Sequence, residues 1–128
     1  MPFITVNGIQ LYYEIDGDGP PLLIISGTGA DLRNPRPENP TLSGFRIVRY
    51  DQRGLGQTAS PKGTYSMADY ADDAASLLDS LKINRINVIG ISFGGMVAQH
   101  LVTRFPNKVN KLVLACTSPG GNNFSSFD

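Results

Sequence analysis

The chain has 128 residues, 41% of them apolar and 17% charged, with 14 Gly and 9 Pro, which fits one globular domain. Eleven Lys and Arg balance eleven Asp and Glu, so there is no surplus positive charge to neutralise nucleic-acid phosphates or to draw the chain onto an anionic membrane. Residues 1–6 lack a basic n-region and no apolar run approaches the roughly 20 residues that span a bilayer, so a cytoplasmic location is expected. A single Cys116 and a single His100 provide neither an internal disulfide nor a zinc-ligand set, and no cofactor is implied.

Residues 3–6 and 9–15 flank Asn7-Gly8, the dipeptide that best accepts positive φ at both centres of a tight turn, and read as a β-hairpin. Four compact runs follow, at 21–25, 45–50, 86–89 and 111–115. Short, β-rich and without clean alternation, they predict strands of a parallel sheet buried on both faces. Across residues 27–44, Pro35, Pro37 and Pro40 break any long helix, which leaves either a functional loop or a weak element.

Two helices supply the crossovers that parallel strands need. The first is capped by the Ser66 hydroxyl with Asp69 answering three residues on, and Asp72 and Asp73 are expected to add negative charge near the positive end of the macrodipole. Its apolar positions Met67, Tyr70, Ala71, Ala74, Leu77, Leu78 and Leu81 recur at three and four, one helical face. The second runs over 93–105 and is stopped by Pro106. The order strand, helix, strand, helix, strand predicts an α/β fold: a mostly parallel, doubly wound sheet with an N-terminal hairpin.

The sharpest chemical signal is Gly90-Ile91-Ser92-Phe93-Gly94, a G-x-S-x-G at a strand-to-helix junction. Gly90 and Gly94 remove side chains that would crowd the turn, so Ser92 can project its hydroxyl at the positive end of the following helix. A packing turn in an ordinary βα unit is the bland alternative. Ser26-Gly27-Thr28-Gly29 follows the 21–25 strand; the third glycine of a dinucleotide fingerprint is missing, since Leu32 occupies its place. Free N–H groups at the helix end beside Ser92 would stabilise the oxyanion of an acyl-transfer intermediate, and as a backbone loop the 26–29 segment can aim a second N–H at it. Asp51-Gln52-Arg53-Gly54-Leu55-Gly56 ends the 45–50 strand, and a local charge pair of Asp51 with Arg53, holding a glycine-rich turn, is expected there over a functional role.

These three features, in this order at the ends of successive strands, resemble the α/β-hydrolase fold family, in particular its small esterase-like members. The resemblance covers essentially the whole chain, including the tail from Cys116 to Gly121. It implies the first six strands of that fold as a single unit over 1–128, truncated after the sixth. It makes Ser92 the nucleophile and the backbone N–H groups of Phe93 and Thr28 the oxyanion hole, with Gly27 and Gly29 beside the substrate and Gly90, Gly94, Asp51 and Arg53 shaping turns. A serine nucleophile points away from the aspartate-dependent dehalogenase and epoxide-hydrolase branches. Ser26 departs from the pattern, standing where many members carry a histidine that orders the loop.

Family members also bring an acid and a histidine after the serine in chain order. His100 cannot serve: eight residues beyond Ser92 on one helix, it lies about 12 Å along the axis, against a hydrogen-bond reach of roughly 3 Å. Asp128 without a histidine cannot take the serine proton, and Cys116 has no base beside it. The expectation is therefore the amino-terminal half of a serine hydrolase acting on a small ester or acyl substrate, partnered by a complementing carboxyl-terminal half. The alternative, from another class, is a non-catalytic module that self-associates into a homo-oligomer or binds a small ligand through its open sheet edge.

Overall fold

The computed structural model describes residues 3–27 and 43–119. Six strands are present among them: β1 (Phe3–Val6), β2 (Ile9–Asp16), β3 (Pro21–Ile25), β4 (Arg46–Tyr50), β5 (Ile86–Ile91) and β6 (Val109–Ala115). Helices α1 (Met67–Ser80) and α2 (Phe93–Arg104) separate the last three, and a short 3-10 turn (Pro106–Lys108) leads into β6.

Asn7 (φ 48°) and Gly8 (φ 80°) both take the left-handed conformation, closing the β1–β2 hairpin in register Val6 to Ile9. The strands lie side by side as β1-β2-β4-β3-β5-β6. The hairpin joins antiparallel to β4, and β4, β3, β5 and β6 run parallel. From β3 the chain moves outward to β4, then crosses back to β5 on the other side of β3. The strand order thus reverses between β3 and β5, and in open α/β sheets the crevice at the carboxyl ends of such a pair is where ligands bind.

Both helices pack on one face of the sheet. Leu23, Ile25, Val48, Tyr50 and Val88 point from the strands into a core closed by Leu77 and Leu78 of α1 and Val97 and Leu101 of α2. Ala71, Ala74, Ala75 and Ala98 belong to the same core, small side chains that let the two helices approach each other and the sheet. The α1 start carries the expected reciprocal cap: the Ser66 hydroxyl accepts from the Asp69 N–H, and the Asp69 carboxylate accepts from the Ser66 N–H at 2.8 Å. The Ser66 N–H, and after it the Ser66 hydroxyl beside the carboxylate, hold the Asp69 carboxyl below its ordinary range.

Two expectations are corrected. Asp72 and Asp73 do not act as charges in the first helical turn: Asp72 pairs with Arg104 of α2 at 2.9 Å, and Asp73 is buried in an ion pair described below. Burial on both faces holds for β3 and β4 but not for β5 and β6. Asn87, Ile89 and Ile91 of β5 are only partly covered, and Val113 and Leu114 of β6 are 56% and 42% exposed. The reason is geometric: α1 and α2 cover a single face, and β6 is the edge of the sheet. The opposite face carries a smaller apolar cluster of Leu22, Ile24 and Ile47. No helix among the described residues is long and apolar enough to cross a membrane.

Candidate active site

The β5–α2 junction begins with a glycine that the packing demands. A Cβ on Gly90 would stand 2.7 Å from the Gly94 carbonyl oxygen and from the Gly95 Cα, so only a bare backbone lets α2 fold back onto the strand it leaves. The turn between them is taken by Ser92 at φ 54° and ψ −119°, a region that costs a residue with a Cβ about 1–3 kcal/mol. Three hydrogen bonds to its backbone hold it there. The Ser92 N–H donates to the Ala115 carbonyl at 2.8 Å, and its own carbonyl accepts from the Gly95 N–H at 2.9 Å and the Thr117 hydroxyl at 2.7 Å.

Although Ser92 is the N-cap of α2, its side chain makes no capping bond. A serine in that position ordinarily turns its hydroxyl onto an N–H of the first turn; here the backbone turns the exposed side chain away from that use. The Phe93 N–H belongs to the same first turn, whose donors have no acceptor within the helix.

The end of β3 approaches this turn from the other side of the crevice. A Cβ on Gly27 would meet the Ser92 Cβ at 3.2 Å and lie 3.7 Å from its Oγ. The glycine-rich loop therefore begins directly against the serine. Thr28 and Gly29 lie outside the described residues, as do residues 120–128 with Gly121 and Asp128.

The turn after β4 is built differently from the expected Asp51–Arg53 pair. Arg53 reaches α1 instead, where its guanidinium makes two bonds to Asp73, Nε to Oδ2 at 2.7 Å and Nη2 to Oδ1 at 2.9 Å. This pair raises the Arg53 pKa above its ordinary value. The Asn7 amide donates to the same carboxylate at 3.0 Å, tying the hairpin turn to the pair. Asp51 is fully buried and its carboxylate accepts the Gln57 N–H at 2.8 Å, while its carbonyl accepts the Thr58 hydroxyl at 2.7 Å. Both acts are turn-forming, six and seven residues along the same loop.

Arg53 also sits over the Tyr65 ring at 5.2 Å, and an edge-to-face series runs on from Tyr65 to Tyr70 to Phe93, with centroids 5.9 and 5.0 Å apart. The ring of the residue after Ser92 is thus packed against α1. Burial raises the Tyr70 phenol above its ordinary range. His100, in the middle of α2, and Cys116, exposed at the end of β6, are not drawn into this group.

The structure brings Ser92, Gly27, Gly90, Gly94 and the Phe93 backbone together and leaves Asp51 and Arg53 as the frame of a neighbouring turn. Thr117, which fixes the Ser92 carbonyl, and Tyr70, which fixes the Phe93 ring, carry no readable signal in the sequence. Thr117 acts across 25 residues of chain, and Tyr70 is one of seven apolar positions on a helix face.

The profile of the α/β hydrolase fold matches residues 20–127. The chain belongs to the α/β-hydrolase fold family. Among solved α/β hydrolases, a hydrolase from Pseudomonas aeruginosa PA01 superposes with a TM-score of 0.88 at 36% identity, over 94% of this chain and 47% of that one. The enol-lactonase from Burkholderia xenovorans LB400 superposes with a TM-score of 0.85 at 36% identity, over 91% of this chain and 46% of that one. A poly(3-hydroxyalkanoate) depolymerase from Ectopseudomonas oleovorans is 37% identical over 101 residues, 78% of this chain and 36% of the depolymerase. The chain therefore spans between about a third and a half of the length of these α/β-hydrolase relatives.

Proposed function

We propose that these residues form the nucleophile-bearing part of a serine hydrolase, a single structural unit whose substrate is a carboxylic ester or a related acyl compound. The observation that carries the reading is the conformation of Ser92: a strained φ of 54°, an exposed side chain, and a hydroxyl not spent on capping the helix it begins. Strain of this kind is useful where a side chain must be presented to a reactant.

In the proposed reaction a histidine from polypeptide outside these 128 residues, oriented by an acid, takes the Ser92 proton as Oγ attacks the substrate carbonyl carbon. The C=O π pair moves onto oxygen, and the Phe93 and Thr28 N–H groups stabilise that oxyanion at the positive end of α2. Collapse expels the alcohol, which takes the proton from the histidine. Water then hydrolyses the acyl-enzyme by the same route. Two relatives act on ester linkages by name, one on an enol-lactone and one on a polyester, which supports an ester or lactone as the substrate class.

The test is labelling and turnover in the complete polypeptide that carries this chain. A fluorophosphonate should modify Ser92, identified by peptide mass, and Ser92→Ala should abolish both labelling and hydrolysis of a short p-nitrophenyl ester. Undiminished hydrolysis by Ser92→Ala overturns the reading. The 128 residues alone should retain only what an oxyanion hole and binding supply, roughly 10³- to 10⁴-fold over water.

A further inference from the structure

Gln52 is a polar residue in a place that polarity does not explain. It follows the buried Asp51 at the end of β4 and is itself only 3% exposed. Its Oε1 is buried without a hydrogen-bond partner among the described residues. A methionine would fill much the same volume without stranding an acceptor, so what the amide contributes is the one bond it does make. That bond crosses from β4 to its parallel neighbour: Gln52 Nε2 donates to the Ser26 carbonyl oxygen at 3.0 Å. The amide must present its nitrogen there, because two oxygens facing each other would repel.

The Ser26 carbonyl is also the group against which the nucleophile turn packs. A Cβ on Gly94 would stand 2.5 Å from that oxygen. The same oxygen is thus held by Gln52 while the first turn of α2 lies against it. Because the peptide unit is planar and trans, its carbonyl and the Gly27 N–H point in opposite directions in one rigid group. Fixing the Ser26 oxygen therefore fixes the direction of the Gly27 N–H and the line along which the backbone passes Ser92, 3.2 Å from a Cβ on Gly27 to the Ser92 Cβ.

We propose that Gln52 is a positioning residue for hydrolysis: by holding the Ser26 carbonyl it sets the Gly27 backbone that faces Ser92 and the first turn of α2 that packs on the same oxygen, and with that turn the Phe93 N–H offered to the developing oxyanion. The inference rests on the nucleophile reading of Ser92 and adds to it a residue that does not touch the substrate. It acts on the transition state, where charge appears on oxygen, and not on ground-state binding.

The experiment is steady-state kinetics of Gln52→Met and Gln52→Glu in the complete polypeptide, beside Ser92→Ala. Gln52→Met loses the donor, and Gln52→Glu replaces the N–H with a carboxyl that donates only when protonated; both keep the length of the side chain. We expect kcat to fall about 10- to 100-fold with KM within about twofold, because misplaced donors cost transition-state stabilisation alone. A folded Gln52→Met with unchanged kcat overturns the inference, even if its thermal stability drops. A raised KM at full kcat overturns it too, since that marks a substrate contact. Turnover retained by Ser92→Ala removes the nucleophile reading; turnover lost there with kcat intact in Gln52→Met removes only the role of Gln52. Should neither variant fold, hydrogen exchange of the Gln52 side-chain amide in the unaltered protein decides. Protection is expected, and exchange as fast as in free glutamine overturns the inference.

Discussion

A Cβ placed on Gly94 would overlap the carbonyl oxygen of Ile25, the last residue of β3. The first turn of α2 and the end of the neighbouring strand therefore share one surface, with no side chain between them. Neither backbone segment can yield cheaply, since Ile25 is paired with Gly90 in the centre of the sheet. Gly94→Ala should destabilise the fold by about 3 kcal/mol, the upper end of what overpacking costs. Gly90→Ala, whose Cβ would meet the Gly94 oxygen and the Ala98 Cβ, should do the same. Urea midpoints measure both; a midpoint unchanged by either substitution contradicts the close approach.

The serine between those two glycines should behave in the opposite way. Ser92 carries left-handed strain at φ 54°, and glycine is the residue that adopts that region without it. Ser92→Gly should therefore raise stability, by about 1 kcal/mol. Ser92→Ala keeps the Cβ and the strain and should be near neutral, the hydroxyl having no capping bond to lose. A serine placed for packing predicts loss in both variants. Chemical denaturation of the pair, compared at one pH, separates the two cases.

Most of the fold was legible in the sequence because it rests on local rules. Asn7-Gly8 named its own turn, Ser66 and Asp69 named the start of α1, and Pro106 ended α2 within a residue. The glycines at 90 and 94 marked the junction that Ser92 occupies. Contacts made across the sheet were not legible. Arg53 faces Asp51 in sequence, yet its partner is Asp73, twenty residues on, because the turn after β4 folds under α1. Exposure of Leu114 was hidden for a related reason: a run such as Leu112-Val113-Leu114 has the same composition whether it lies in the middle of a sheet or at its edge.

The cap of α1 gives a pH dependence whose sign follows from its bonds. The Ser66 N–H, and then its hydroxyl group, hold the Asp69 carboxyl below its ordinary range in the folded chain. A depressed carboxyl contributes stability that is fully present above its unfolded value, about 3.9, and is lost as pH falls through the lower folded value. Asp69→Asn should therefore be less stable than the parent at neutral pH, by an amount that stays constant down to about pH 5. The gap should close below about pH 4, as the parent loses its charge. Urea midpoints of parent and variant across that range test it; a gap that persists to pH 2 would show that the carboxylate charge plays no part.

Edge strand β6 sets the last expectation. It pairs with β5 on one side, and Val113 and Leu114, adjacent in the chain, point to opposite faces of the sheet with 56% and 42% of their surfaces in solvent. An apolar parallel edge with both faces partly bare is the kind of strand that recruits another chain. The 128 residues alone should accordingly sediment as a dimer or larger species at low micromolar concentration. Leu114→Lys should shift them toward monomer, because a charge on the edge opposes strand addition without touching the core of α1 and α2. In the complete polypeptide the same surface should be covered by the following chain, and the same substitution should then lower stability instead of changing the mass. A monomeric boundary for the unaltered 128 residues, with cooperative unfolding, contradicts the recruitment and leaves the exposed pair as tolerated surface.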